Sequence, residues 1–527
     1  MLELLANQGG AKFFNAGLQS AMAPMGSMMG AMGPLGSAMG AMSPSGSAMT
    51  APSAHPASSV TGPAAASGSS AGRNAWHPCQ NMSPPKNADM RGSNSMGRYY
   101  FEPQKAAASK PQTARSASHS GAGFDVERVR RDFPILHQKV NGKPLIWLDN
   151  GATSQKPRHV IDAISHFYEI DNSNIHRAAH TLAARATDAY EHARETVQRH
   201  LNARSTREIV FVRGTTEAIN LVAQSWGRSN ISAGDEIIVS QMEHHANIVP
   251  WKMLADETGA VIKVIPVDET GDLNLVAYQN MLSPATKLVA LAQASNVLGT
   301  VNPIPLISSM AKAVGARVLV DGAQSIPHFS VDVQSLGCDW FVFSAHKIFG
   351  PTGVGVLYGR EDVLAAMPPW QGGGNMIKDV TFEKVTYADL PGKFEAGTGI
   401  LAGSVGLGAA FDYVESIGSK QAEHHEQALL EDATHRLLRV PGLRIIGQSK
   451  TKVAVVSFVL DGIAANTIGK ALDQDGIAVR SGHHCAQPIL RRYGLEESVR
   501  ASFAFYNTHE EVAALCNSVR RIRQSGA

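Results

Sequence analysis

The sequence predicts an α/β fold: a mostly parallel seven-stranded sheet, a smaller α+β portion after it and a long low-complexity tail before it. Three observations predict it. Through the middle of the chain, short apolar runs alternate with amphipathic helical stretches, the pattern of a parallel sheet covered on both faces. Toward the C-terminus, one long helical stretch precedes several strand-like runs. The first 122 residues are rich in Ala, Ser, Gly and Pro and hold few charges. The expected parts are a disordered tail over 1–122, a large domain over 123–409 that includes the N-terminal segment of the small one, and a small C-terminal domain over 410–527.

The tail comes first. Residues 21–50 are three decapeptides, AMAPMGSMMG, AMGPLGSAMG and AMSPSGSAMT. A Pro and a Gly in every unit prevent a continuous helix, and three such short units cannot stack into a core. Up to Gly72 the only charged residues are Glu3 and Lys12. Such a segment buries too little apolar surface to fold and is expected to be disordered. Its many Met side chains are adaptable apolar contacts. Two islands stand out, Leu4-Leu5 with Phe13-Phe14 and Leu18, and Arg98-Tyr99-Tyr100-Phe101.

Order is expected from Phe124 onward. Strands are predicted over 208–212, 236–240, 261–266, 287–292, 317–320, 340–344 and 355–358, with a helix over 217–226. In the last part, a helix over 420–438 precedes strand-like runs at 453–460, 477–480 and 500–506. A helix over 509–523 follows.

Charge and cysteine usage exclude several classes. The tail carries a net +5 and the remainder a net −3, so the body is not built to neutralise many phosphates and nucleic-acid binding is not expected. Cys79, Cys338, Cys485 and Cys516 form neither a disulfide framework nor a CxxC pair, which suits a reducing cytoplasm. No apolar run reaches membrane-spanning length, and MLELLANQGG lacks the basic and apolar regions of a secretory signal.

Two strand ends carry the chemistry. VLVDGAQ (318–324) is an apolar run ending in Asp321 and a Gly turn, and WFVFSAHK (340–347) is another, ending in Ser344 and Lys347. Ligands of open parallel sheets bind beyond the carboxyl ends of the strands, so Asp321 and Lys347 are expected in one crevice. Alone, Lys347 reads as a surface lysine and Asp321 as a turn residue. Together they are what pyridoxal phosphate (PLP) requires: a Lys for a Schiff base and an acid for the pyridine nitrogen. Arg213-Gly214-Thr215-Thr216, between a strand and a helix, suits a phosphate, although Thr in that position also caps helices. His244, in QMEHH (241–245), is placed to stack on a cofactor ring. Adjacent histidines lack zinc-ligand spacing, and the pair His176 and His180 lacks a third ligand, so no metal is expected. Finally, RSGHHCA (480–486) puts Cys485 in a polar, Gly-containing loop beside Arg480 and two His, a setting that favours a reactive thiolate. Cys338 and Cys516 sit in apolar or helical contexts and read as packing residues.

Residues 124–523 resemble the class II (Suf-type) cysteine desulfurases, which overlap the selenocysteine lyases. The stretches that carry the resemblance are LDNGATSQKP (148–157), NIHRAAHTLAARAT (174–187), FVRGTTEAINLVAQSWG (211–227), SQMEHHANIVPW (240–251), SNVLGTVNP (295–303), VDGAQS (320–325), FSAHKIFGPTGVGVLYG (343–359), FEAGTG (394–399) and RSGHHCAQP (480–488). The resemblance implies a fold-type I PLP homodimer that converts L-cysteine to L-alanine. It implies that Lys347 bonds the cofactor and then acts as acid and base, Asp321 pairs with the ring nitrogen, Gln324 meets the ring oxygen and His244 stacks. Thr215, Thr216, Ser344 and His346 would hold the phosphate, with Thr398 of the other subunit. Arg500 and Asn296 would hold the substrate carboxylate, with His176, Arg177 and Arg480 on the substrate side. Cys485 would take the sulfur as a persulfide and pass it to an acceptor protein or to storage.

Two departures from the family pattern stand in the chain: Gly151 where Ala is common, and Gly399-Ile400-Leu401 after the FEAGT stretch. The tail is similar in composition to the N-terminal extensions of cysteine desulfurases that are encapsulin cargo, which implies a cytoplasmic enzyme inside a protein shell. A passive linker and a transit peptide are the rival readings of the tail, the latter opposed by the absence of Arg before Arg73. A selenocysteine lyase is the rival reading of the enzyme.

Overall fold

The structure, a computed structural model, describes residues 124–176 and 179–526; the tail, Cys79 and Arg177 lie outside them. Seven strands form the main sheet: β1 (Ile209–Val212), β2 (Glu236–Ser240), β3 (Val261–Ile265), β4 (Thr286–Ala292), β5 (Arg317–Asp321), β6 (Trp340–Ser344) and β7 (Gly355–Gly359). Their order is β1-β7-β6-β5-β4-β2-β3. All run parallel except β7, which is antiparallel to both β1 and β6. This is the expected mostly parallel sheet, with strand limits within two residues of those read from the sequence.

The apolar runs are continuous because both faces of the sheet are buried. Along β6, Trp340 and Val342 enter one core while Phe341 and Phe343 enter the other. Helices cover the faces, among them α1 (Thr181–His200), α2 (Thr215–Val222) and α3 (Leu401–Ser416). The expected boundary at 409/410 falls inside α3; the chain turns away only at Gly418, at φ 86°.

A second sheet follows, of β8 (Leu443–Ile446), β9 (Val455–Leu460), β10 (Arg480–Gly482) and β11 (Ser498–Ser502), in the antiparallel order β8-β9-β11-β10. Helices α4 (Ser419–Leu437) and α5 (His509–Ser525) pack on it, α5 starting at a capping box between Thr508 and Glu511. Two strand expectations differ. The run at 477–480 is divided, Ile477–Ala478 pairing with Ile146–Trp147 while Arg480 begins β10. The last strand lies at Ser498–Ser502 rather than 500–506. Pairing with Ile477–Ala478, and the bridge from Asp149 to Ser502, carry residues 146–151 along the second sheet and deliver Asp149 and Gly151 to the sheet ends.

Candidate active site

A cavity of about 260 Å³ opens at the carboxyl ends of β4, β5 and β6. Asp321, the last residue of β5, is buried there, and Lys347 enters from the turn Ala345–Lys347 that follows β6. Gly322 is required at the turn after Asp321, because a Cβ there would lie 1.9 Å from the Phe341 ring. Burial pushes the Asp321 carboxyl up, and the Lys347 charge opposes that shift. Burial pulls Lys347 down to about 8, Asp321 opposing and Arg500 adding to it. The Asp321 carboxylate accepts the Ala323 N–H at 2.9 Å, its one side-chain hydrogen bond among the described residues, so acceptor capacity is left for a cationic group in the cavity.

His244 accepts the Ala246 N–H on Nδ1 at 3.1 Å, which places the proton of the neutral ring on Nε2. Burial first, then the charges of Lys347, His245 and Arg500, push it down to about 3, so the ring that lines the cavity stays neutral. Gln324 donates to Gly151 O at 2.6 Å and lines the same wall.

The opposite end suits a phosphate. Ser344 Oγ accepts the Thr215 N–H at 2.9 Å and lies 2.8 Å from Thr215 Oγ1. β1 and β7 meet there so closely that a Cβ on Gly355 would lie 2.5 Å from Gly214 Cα. The Ala218 N–H closes the first helical bond to Gly214 O, which leaves the first-turn N–H of Thr216 as a donor with no helical partner. Thr216 and His346 complete this end. Burial, with Lys347 and Lys156 nearby, holds His346 at about 4 and therefore neutral.

On the far wall Arg500, 2% exposed, donates to Asn296 O at 3.0 Å and to Asp149 Oδ1 at 2.9 Å. Its Nε is buried without a partner among the described residues, so the guanidinium keeps unused donors, as a carboxylate-binding fork requires. Arg480 lies 3.6 Å from Asp149 Oδ2. Cys485 faces the same cavity from the loop after β10. Burial drives the other two described thiols, Cys338 and Cys516, up to about 12 and keeps them inert.

The structure thus brings together Lys347, Asp321, Gln324, His244, Thr215, Thr216, Ser344, His346, Asn296, Arg480, Arg500 and Cys485. It does not bring Thr398 or His176 to this cavity. Thr398 is exposed in a separate groove, 3.5 Å from Asn174 Oδ1. His176 is exposed and pairs with Glu191 at 3.3 Å. The Asn296 side chain donates to His484 O at 2.7 Å, so it supports the Cys485 loop, and its backbone carbonyl is the atom that meets Arg500. Sequence reasoning missed Asp149, the acid that holds Arg500 and Arg480. It also missed Glu243, which is fully buried and accepts from Ser240 Oγ, Asn247 Nδ2 and Ala292 N. Burial pushes Glu243 up to about 8. Asp149 closes the apolar run 145–148, the signal that pointed to Asp321, whereas Glu243 lies three residues past the end of β2 and carries no such signal.

The family model for aminotransferase class-V matches residues 146–515. The chain is 58% identical over 421 residues to a cysteine desulfurase of Synechococcus elongatus, covering 80% of this chain and 67% of that relative. It therefore spans about two thirds of that protein's length. It is 50% identical over 402 residues to a cysteine desulfurase of Salmonella agona, covering 76% of this chain and 99% of the relative. A cysteine desulfurase of Escherichia coli, solved as its S-sulfonic acid, matches with a TM-score of 0.72 at 40% identity, over 77% of this chain and 100% of that one. A Lys and an Asp at adjacent strand ends, with a phosphate cradle beside them, are the frame of a fold-type I PLP protein. The chain belongs to the aminotransferase class-V family and, within it, to the PLP-dependent cysteine desulfurases.

Proposed function

We propose that this chain takes the sulfur of L-cysteine onto Cys485 and releases L-alanine. The observation that carries the reading is one cavity shared by the Cys485 thiol, the Lys347 amine and the Arg500 guanidinium. Lys347, Asp321, Gln324, His244, Thr215, Thr216, Ser344 and His346 would hold pyridoxal phosphate, which supplies the electron sink for bond breaking in the substrate. Arg500, fixed by Asp149, binds the substrate carboxylate, and Arg480, on the same acid, lines the substrate side. Lys347, its amine near neutrality, moves the proton at the substrate α-carbon. Cys485 Sγ bonds the substrate sulfur as the substrate C–S bond breaks. The electron pair of that bond stays with carbon, which takes a proton and leaves as alanine, and Cys485 keeps the persulfide. No external oxidant enters. The short loop between β10 and the helix Gln487–Arg492 supports the class II form. The test is Cys485→Ser: the holoprotein should keep its cofactor absorption band and lose sulfide and alanine release from cysteine. Undiminished desulfuration by this variant removes the role.

The active form on this reading is a homodimer. Support comes from Thr398 and His176, which lie away from their own cavity in a region where Tyr168, Ile170 and Ile400 are exposed. A second copy would present Thr398 to the phosphate. The persulfide would pass to an acceptor protein or to sulfur storage. Among the described residues no helix is long and apolar enough to cross a membrane. Residues 1–122 would serve as the element that docks the enzyme in an encapsulin shell. The support is their repeated Met motif and near absence of charge up to Gly72.

A further inference from the structure

The proposed nucleophile stands on strained backbone. His484 and Cys485 are consecutive non-glycine residues at φ 52° and 55°. Left-handed backbone is disfavoured for any residue with a Cβ, and two in a row persist only where the surroundings over-determine them. Here the surroundings are specific. His484 O accepts from Asn296 Nδ2 at 2.7 Å, and His484 Nε2 lies 2.9 Å from Ser498 Oγ. The Cys485 N–H donates to His483 Nδ1 at 3.0 Å. Further bonds come from His245, which grips the loop at Cys485 itself and again two residues beyond it. Its N–H donates to Cys485 O at 2.7 Å, and its Nε2 accepts the Gln487 N–H at 3.3 Å.

His245 stands in a segment with three destinations. Glu243 points down, where Ser240 Oγ at 2.5 Å, Asn247 Nδ2 at 2.7 Å and the Ala292 N–H at 2.8 Å hold its carboxyl. Ala292 is the register partner of Asp321, so this anchor sits on the cavity floor. His244 faces the cavity. His245 reaches up to the nucleophile loop, its ring centroid 5.7 Å from that of His483. The bond from Gln487 needs an unprotonated Nε2; burial, and then His483, hold His245 below the usual range.

We propose that His245 is a positioning residue for Cys485: by clamping the Cys485 carbonyl and the Gln487 amide, it fixes the thiol relative to the turn that carries His244. The inference rests on Cys485 being the sulfur acceptor. It assigns His245 a part in sulfur transfer and none in holding cofactor or substrate.

The test compares His245→Gln, His245→Asn and His245→Ala in the holoenzyme. The backbone bond to Cys485 survives in all three. Only Gln carries an acceptor far enough to meet the Gln487 amide. His245 is partly exposed, so the polar variants are compatible with the fold, and Ala backs up Asn. Asn and Ala should lower kcat for alanine release about fivefold, the size of one lost hydrogen bond, while Gln stays within about twofold of wild type. KM for cysteine and the cofactor absorption maximum should not move in any variant. Wild-type kcat in Asn and Ala overturns the proposal, and so does an equal loss in Gln. A shifted absorption maximum or KM also overturns it, because His245 would then act on cofactor or substrate. If Cys485→Ser itself desulfurates normally, the parent reading has failed; if that variant is inactive while His245→Asn is normal, only this inference has.

Discussion

Gly151 lies against Arg500 so closely that a Cβ built on it would sit 3.1 Å from the guanidinium carbon and 3.3 Å from Ser502 Oγ. The same glycine donates its N–H to Ser502 Oγ at 2.7 Å and accepts Gln324 Nε2 at 2.6 Å. It is one of the departures from the family pattern, in which Ala is common. Gly151 therefore lets the Arg500 guanidinium rest on backbone that also holds Gln324. Gly151→Ala should push Arg500 by a few tenths of an ångström. The expected result is a KM for cysteine raised about two- to fivefold, with kcat and the cofactor spectrum kept. Steady-state kinetics at saturating cofactor check it.

Arg500→Lys should do more. The guanidinium spends one bond on Asn296 O and one on Asp149 and still has donors for a carboxylate fork. A lysine ammonium keeps the charge but cannot hold both anchors and grip a carboxylate bidentately. KM for cysteine should rise about tenfold or more, while cofactor binding is unchanged. An unchanged KM takes Arg500 out of the substrate site.

The Lys347–Asp321 pair sets a pH dependence for cofactor uptake by the apoprotein. Only the neutral amine attacks the cofactor aldehyde, and burial pulls Lys347 down to about 8. The uptake rate should therefore rise about tenfold per pH unit below about 8 and level off above it. In Asp321→Asn the opposing negative charge is gone, the ammonium is less favoured, and the plateau should begin at lower pH. Growth of the visible absorption band in a stopped-flow instrument follows the rate. A profile centred near the ordinary lysine value would show that burial does not govern Lys347.

Much of this site was legible because strand ends are legible. Asp321 closes an unbroken apolar run and Lys347 sits in the turn just after the next one, and a parallel sheet puts such ends along one edge. Helix α3 was not read, and its glycines explain why. Gly406 and Gly408 weaken the helical pattern, yet Cβ atoms on them would lie 2.7 Å from Ile164 and 3.1 Å from Ala193. They serve close packing, which composition does not reveal. The Arg500–Asp149 pair joins residues 351 positions apart, and no local pattern relates them. The resemblance placed Asn296 at the substrate, but which atom its amide meets depends on the Cys485 loop folding back across β4. Thr398 and His176 match family motifs by position, and a single chain leaves them outside the cavity.

The last prediction concerns the tail, whose reading rests on sequence. Residues 1–122 repeat an Ala-Met-x-Pro-x-Gly-Ser-x-Met unit three times and hold two compact apolar islands, at 4–18 and 99–101. Repeated weak contacts give avidity, since each bound unit raises the effective concentration of the next. Segments that order on binding lose entropy, so one decapeptide alone should bind weakly. Co-expressed with an encapsulin shell protein, the full chain should co-purify with assembled shells. A chain starting at Gly123 should stay outside them, and both should release alanine from cysteine at similar rates. Deleting residues 21–50 separates the two docking elements: near-complete loss of packaging assigns docking to the repeats, and partial loss assigns a share to the islands. Equal packaging of the chain starting at Gly123 makes the tail a linker.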